Sequence, residues 1–128
     1  MSKKRNVSFI IQKHLLDQIG NRAEIRNVSR NEEMRSLIKF AIHTDHLLTQ
    51  QISIPEGEMV RTVVWLDLDD GEIVRERAAS YQRSTSQEIV RIFALALEEV
   101  TNRDLAIISS LLARQSLQDP SKSGTEAS

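Results

Sequence analysis

Few side chains in this sequence have the type and spacing for metal chemistry. His43 and His46 stand three positions apart with Asp45 between them, a spacing that could hold a metal ion weakly at a helix end. Cationic side chains also gather near helix C-termini, because the helix dipole favours positive charge there. We interpret the histidine pair in this second way and predict no metal site.

The acidic group Asp67, Asp69, Asp70 and Glu72 could also suggest a cation site. Carboxylates are equally typical of a helix N-terminus, where the dipole favours negative charge, and we adopt that explanation. The sequence has no glycine-rich phosphate loop, nucleophile elbow or paired-carboxylate motif. It has no cysteine, which excludes disulfides and thiol or zinc-thiolate chemistry. We therefore predict that the protein is not an enzyme and uses no cofactor.

Charge is unevenly distributed, although the formal net charge is −1. Residues 1–44 carry nine Lys and Arg against four Asp and Glu, whereas residues 61–103 carry six against eight. A local positive field could attract a polyanion; charge that only solvates the surface is the alternative. Lys3, Lys4 and Arg5 indicate a flexible basic arm that adds salt-dependent affinity, with a solubilising tail as the alternative.

The elements that must position these residues follow from a repeat. Residues 6–42 and 61–97 share one layout, 55 positions apart and without a gap. Each copy opens with an alternating stretch, NVSFII and RTVVWL, which is typical of a half-buried strand. A strand with two helices in about 40 residues cannot build a core alone, so each copy must pair with another. The identical positions are Arg22/Arg77, Ala23/Ala78, Ser29/Ser84, Glu33/Glu88 and Ala41/Ala96.

Two helices follow the strand in each copy. The first is predicted near residues 13–26 and 69–82. Its inward side chains are expected to be Leu15, Leu16, Ile19 and Ala23 in the first copy and Ile73, Val74 and Ala78 in the second. The second helix begins at a capping box, with Ser29 three positions before Glu32 and Ser84 three before Gln87.

The chain is therefore expected to comprise five segments. They are a first repeat with its basic arm (1–44), a linker (45–60), a second repeat (61–103), an additional helix (104–118) and a disordered tail (119–128). No apolar run approaches the roughly 18 residues that a membrane span needs. No hydrophobic stretch follows the basic start, so we expect no secretory signal, no membrane partner and a cytoplasmic location.

This layout resembles the ribbon-helix-helix family of DNA-binding proteins, of the Arc and MetJ type. The resemblance covers residues 6–42 and 61–97. It implies a mainly α fold with a short two-stranded antiparallel β-ribbon, in the order β-α-α-β-α-α. In that family two copies, usually from two chains, intertwine into one ribbon above four helices. Both copies lie in one polypeptide here, as in some conjugative-plasmid accessory proteins, and pairing within or between chains stays open.

The resemblance also implies two kinds of DNA contact, with base edges in the major groove and with phosphates at helix N-termini. The implied base contacts are Asn6, Ser8, Ile10, Gln12, Arg61, Val63 and Trp65. The implied phosphate contacts are Val28, Ser29, Arg30, Asn31, Arg83, Ser84, Thr85 and Ser86, with Lys3, Lys4 and Arg5 of the arm. Val63 and Trp65 are unusual base readers, and Asp67 beyond them would repel phosphates. A strand face covered by a protein partner therefore stays open for the second repeat.

We predict a sequence-specific regulator that binds double-stranded DNA, as a repressor of phage or plasmid type. One alternative is an accessory DNA-binding protein of a conjugative relaxosome. The other is an antitoxin-like or anti-regulator module that binds a protein through its second repeat. Because one ribbon reads only a few base pairs, we also expect self-association, with residues 105–117 as its surface.

Overall fold

The fold is mainly helical with one two-stranded antiparallel sheet. The structure, a computed structural model, describes residues 4–44 and 46–118, except the side chains of 117 and 118. Lys3, Asp45 and the predicted tail 119–128 lie outside the described residues. The elements are β1 (Lys4–Gln12), α1 (Lys13–Arg26), α2 (Arg30–Ile42), a 3₁₀ turn (Leu47–Thr49), β2 (Met59–Asp67), α3 (Leu68–Ser80) and α4 (Thr85–Gln118).

Strands β1 and β2 pair with each other within the one chain. Their register runs from Lys4 opposite Asp67 to Gln12 opposite Met59. Successive side chains of a strand point to opposite faces, and the alternation seen in the sequence assigns one face to the core. On the inner face Phe9, Ile11, Val64 and Leu66 are buried, while Val7 and Thr62 are half-buried.

The first helix of each repeat ends in the same way. Asn27, with φ of 56°, and Gln82, with φ of 55°, both adopt the left-handed conformation that often terminates a helix. The next residue in each case donates its amide to a carbonyl of the preceding helix, at 3.0 Å from Val28 to Ala23 and 2.8 Å from Arg83 to Ala78. These matched ends direct the chain into α2 and α4.

The core lies under the inner face of the ribbon. Phe9 of β1 and Phe93 of α4 meet there with ring centroids 5.6 Å apart. Around them α2 buries Met34, Leu37, Ile38 and Ala41, and α4 buries every apolar side chain from Ile89 to Leu97.

The prediction that Ile73 points towards the core is wrong. Ile73 is 36% exposed, because α3 turns the line of Asp70, Val74 and Ala78 towards the core. Gly71 is buried with these three residues, so the buried face centres near Val74 and Ala78; Ile73, one position before Val74, lies about 100° around the helix from it. Leu16 of α1, also expected to point inward, is only half-buried.

The segment predicted as a linker, residues 45–60, makes contacts with the start of α1 and with α4. Leu47 and Leu48 of the 3₁₀ turn are buried. The Arg91 guanidinium of α4 donates to the carbonyls of Leu48 at 2.8 Å and Gln50 at 2.5 Å. Further along, the carbonyl of Glu58 accepts from the Lys13 amide at 2.7 Å.

The sequence predicted an additional helix at residues 104–118. In the structure these residues continue α4 without a break. No Gly or Pro lies between Glu98 and Arg103 to end the helix, and the Glu99–Arg103 ion pair at 2.9 Å supports it there. The chain divides into two units, residues 1–97 and 98–128. Across residues 4–44 and 46–118, the structure contains no helix with the length and hydropathy to span a membrane.

Candidate nucleic-acid interface

The outer face of the ribbon carries the side chains predicted to contact bases. The exposed ones are Asn6, Ser8, Ile10, Arg61, Val63 and Trp65. The rungs of the ribbon on this face are Asn6–Trp65, Ser8–Val63 and Ile10–Arg61. Each rung places one polar side chain beside one apolar or aromatic side chain, so the face offers both hydrogen-bonding groups and apolar contact. Gln12, also predicted as a base contact, is half-buried at the end of the ribbon.

The pairing register coincides with the sequence repeat. Ser8 and Val63 are equivalent positions, 55 residues apart, and they face each other on the ribbon. Asn6 and Arg61 are also equivalent. On the outer face Asn6 lies in the rung on one side of the Ser8–Val63 rung, and Arg61 lies in the rung on its other side. The ribbon therefore has an approximate local twofold axis through its Ser8–Val63 rung, although the side chains on the two sides differ.

Both capping serines act as predicted at the starts of α2 and α4. The Ser29 hydroxyl accepts from the Glu32 amide at 3.1 Å, and the Ser84 hydroxyl accepts from the Gln87 amide at 3.0 Å. In the second repeat the Gln87 side chain also accepts from the Ser84 amide at 2.9 Å, which completes the capping box. The amides of the first two helical residues have no partner within an α-helix, so each of these two helix starts retains donors suited to an anion.

Two side chains fasten these helix starts to the ribbon. Asn31 Oδ1 accepts from the Trp65 amide at 2.8 Å, and Ser86 Oγ accepts from the Ile10 amide at 3.3 Å. Asn31 and Ser86 are equivalent positions, and so are Ile10 and Trp65. Asn31 and Ser86 were predicted to contact phosphate; in the structure their side-chain oxygens hold the helix N-termini at fixed places beside the ribbon.

Two predicted phosphate contacts have their backbone amides already in use. The amides of Val28 and Arg83 close the ends of α1 and α3, and neither can bind an anion while the helices end in this way. The Arg83 guanidinium is also engaged, 3.1 Å from Glu88 and 4.9 Å from the centre of the Tyr81 ring. The remaining positions of that group, Ser29, Arg30, Ser84 and Thr85, lie at the two helix starts.

Three cations near the ribbon have no ion-pair or hydrogen-bond partner for their side chains within the described residues. Lys4 stands at one end of β1, Arg30 begins α2, and Arg61 lies on the outer face of β2. All three are exposed. Arg5, by contrast, lies 3.9 Å from Glu72 across the surface. The prediction of a flexible arm is wrong for Lys4 and Arg5, because both pair with β2 as part of β1.

Much of the positive charge predicted for residues 1–44 is neutralised in the fold. Arg35 and Lys39 of α2 lie 3.2 and 3.1 Å from Asp67, and Lys39 is also 2.8 Å from Asp70. The hydrogen bond from Lys39 holds the pKa of Asp67 below its usual range, and the bond to Asp70 raises the pKa of Lys39. Asp67 is therefore not the free negative charge that the sequence had suggested at the end of the ribbon.

The buried carboxylates Glu33 and Glu88 have structural roles that the sequence did not predict. Glu33 is 1% exposed and accepts from Arg22 at 3.2 Å and from Arg26 at 2.5 Å. Glu88 is fully buried, with Arg83 at 3.1 Å, Arg91 at 3.7 Å and Arg77 at 3.9 Å. The signal was present in the repeat, since the identical pairs include Arg22/Arg77 and Glu33/Glu88.

The structure does not assemble a metal site in the part of the chain that it describes, where no group of three or more His, Asp and Glu side chains is placed to hold an ion. Within the acidic group, Asp67 and Asp70 are paired with Lys39, and Glu72 with Arg75. Comparison of the chain with protein-family models, with curated proteins and with solved structures gives no match.

Proposed function

We propose that this protein is a sequence-specific DNA-binding regulator of tandem ribbon-helix-helix architecture, in which both repeats of one chain form a pseudo-dimer. The observation that carries the proposal is the coincidence of the ribbon register with the 55-residue repeat, centred on the Ser8–Val63 rung. Two equivalent helix starts are fastened to this ribbon through Asn31 and Ser86. A two-stranded ribbon is the element with which the β-ribbon class of DNA-binding proteins enters a groove.

The ribbon would enter the major groove, which admits a two-stranded β-ribbon and displays a distinct pattern for each base pair. Asn6 and Ser8 would hydrogen-bond base edges, and Arg61 would donate to a guanine. Ile10 and Val63 would meet thymine methyl groups, since apolar side chains make that contact.

Phosphates on each side of the groove would accept from the free amides at the starts of α2 and α4. Arg30, exposed at the first position of α2, would add charge to this contact. Lys4 would add salt-dependent affinity from the end of β1. By occupying a promoter in this way, the protein would act as a repressor.

The test is a titration of the full chain with two kinds of duplex DNA at several salt concentrations. One is the sequence selected from a random pool for the tightest binding, hereafter the operator, and the other is random duplex DNA. We expect binding to both, tighter to the operator, with affinity falling steeply as salt rises because phosphate contacts release counterions. The double substitution Asn6→Ala with Ser8→Ala should lower the preference for operator over random DNA. Arg30→Ala is the matched control, expected to weaken binding to both duplexes alike. Absence of binding to any duplex at about 50 mM salt would refute the proposal.

A second function is favoured by the apolar share of the same face. Ile10 is 42% exposed, Val63 38% and Trp65 46%, and such side chains also suit a protein partner. On this alternative the ribbon face binds a protein, as in an antitoxin-like module. The chain then either binds no DNA or binds it with an affinity that the Asn6 and Ser8 substitutions leave unaltered.

A further inference from the structure

The second unit of the chain carries an unusual apolar surface on α4. Residues 105–113 contain no charged side chain over more than two helical turns. The five large apolar side chains of this segment are each between 51% and 60% exposed; they are Leu105, Ile107, Ile108, Leu111 and Leu112. A contiguous exposed patch of this kind is rare on monomeric proteins and marks an interaction surface.

Helical spacing gathers these five side chains on one side of α4. At 3.6 residues per turn, Leu105, Ile108 and Leu112 form one row, and Ile107 and Leu111 form a second row beside it. The opposite side carries only small residues, which are Ala106, Ser109, Ser110 and Ala113. The five side chains, hereafter the apolar stripe, thus form a single wide face rather than a scatter of exposed residues.

Charged residues of opposite sign stand at the two ends of the apolar stripe. Asp104 precedes it and Arg114 follows it, ten residues and so about 15 Å apart along the helix axis. If two copies of the stripe pack antiparallel, each Asp104 approaches the Arg114 of the other copy. A parallel arrangement would place like charges together at both ends, which is unfavourable. The surface is therefore self-complementary under a twofold axis, as an isologous dimer contact requires.

We propose that the apolar stripe is the contact between two copies of this chain, packed antiparallel through the 105–114 segment of α4. This association goes beyond the proposed function and does not depend on it. Where both hold, two ribbons would be joined in one assembly, and the second ribbon would bind DNA at a high effective concentration.

The test of association is sedimentation velocity on the full chain without DNA. We expect the wild-type chain to sediment as a dimer at micromolar concentration. Leu112→Glu places a charge within the apolar stripe and should raise the dissociation constant by at least about tenfold. The matched control, Ala113→Glu, adds the same charge at the next position on the small-residue side and should remain dimeric.

Circular dichroism checks that both variants keep the helical content of the wild-type chain. A monomeric wild-type chain would overturn the proposal. So would a Leu112→Glu variant that dimerises as well as the Ala113→Glu control. Because DNA is absent from this experiment, its result is separate from the test of DNA binding.

The orientation is testable because the chain has no cysteine of its own. Chains carrying Leu105→Cys are mixed with an equal amount of chains carrying Leu112→Cys and then oxidised. Antiparallel packing predicts that the mixed 105–112 disulfide predominates. Predominance of 105–105 and 112–112 disulfides would show parallel packing and contradict the proposed arrangement.

Discussion

At the scale of single residues, the two repeats bury their equivalent carboxylates, Glu33 and Glu88, in different surroundings. Glu33 is flanked by two arginines, of which Arg26 is 48% exposed and so remains well hydrated. Glu88 lies within a cluster of three, whose most buried member, Arg91, has only 15% of its side chain exposed. Desolvation lowers the pKa of Arg91, and the neighbouring Arg83 and Arg77 lower it further. Glu88 therefore neutralises more positive charge than Glu33 does, and its arginine partners are more buried.

The substitution Glu88→Gln should therefore destabilise the fold more than Glu33→Gln. Removing one partner of a buried ion pair costs about 3–5 kcal/mol, and partial exposure of the arginines here favours the lower end of that range. Urea unfolding of the wild-type chain and the two variants measures the difference. Glu32→Gln, at an exposed position of α2, is the control and should change stability little. A Glu88→Gln variant as stable as the Glu32→Gln control would contradict this assignment.

Local signals in the sequence predicted the residues whose roles depend on near neighbours. Ser29 and Ser84 cap helices because their partners lie three positions away, and Phe9 and Val64 face the core because a strand alternates. Two partners of Glu88, Arg83 and Arg91, are near neighbours in sequence. Its complete burial and its third partner, Arg77 of α3, depend on tertiary packing, which local signals do not show. The sequence indicated Glu88 only because the same residue type, Glu33, stands at the equivalent position of the other repeat. Such a match does not show which residues Glu88 contacts.

At the scale of elements, one ion cluster joins α2 to the start of α3. Its members are Arg35, Lys39, Asp67 and Asp70. The equivalent positions of the other repeat are Val90, Ala94, Gln12 and Leu15, which carry no charge. If two first repeats paired with each other, Arg35 and Lys39 would meet positions without a carboxylate. The cluster therefore favours pairing of unlike repeats, which is the pairing observed within the chain.

The same cluster gives stability a defined pH dependence. The folded-state pKa of Asp67 is lowered, so its contribution is complete above the ordinary carboxyl pKa of about 3.9 and is lost as pH falls through the folded value. The folded-state pKa of Lys39 is raised, so its contribution is complete below about pH 10.4 and is lost as pH rises through the folded value.

We expect Lys39→Met to lower stability by a constant amount from about pH 5 to pH 9, with the difference from wild type shrinking at lower pH. Denaturant midpoints measured across this range test the expectation. Lys13→Met is the control, because Lys13 pairs with Asp17 only at the surface, at 3.8 Å. A Lys39→Met difference that persists unchanged into strong acid would show that the ion cluster does not contribute in this way.

The sequence predicted the kinds of element better than their surroundings. Helix α1 matches its predicted range, and both strands occur where alternation indicated them. The segment 45–60 was predicted as a linker because of its Pro and Gly, yet Leu48 is buried and its carbonyl binds Arg91. No periodicity marks such a contact, since it joins residues 43 positions apart. Ile73 was placed inward by hydrophobicity alone, and the rotation of α3 decided otherwise.

At the scale of the whole molecule, a single chain supplies both sides of a ribbon with approximate twofold symmetry but unlike side chains. Asn6 and its equivalent Arg61 present different hydrogen-bonding groups, and Ile10 and its equivalent Trp65 differ in size. Under the proposed function, the base pairs contacted by one ribbon are therefore not palindromic. A ribbon formed by two identical chains would lack this asymmetry.

The only tryptophan of the sequence provides the most direct test, because Trp65 lies on the outer face of the ribbon with 46% of its surface exposed. Its fluorescence is measured while duplex DNA is added to the full chain at about 50 mM salt and again at higher salt. The proposed function predicts a saturable change in Trp65 emission that requires more DNA as salt rises. If Trp65 emission stays unchanged at the highest duplex concentration, insertion of this ribbon into the major groove is contradicted, whether or not the chain binds DNA elsewhere.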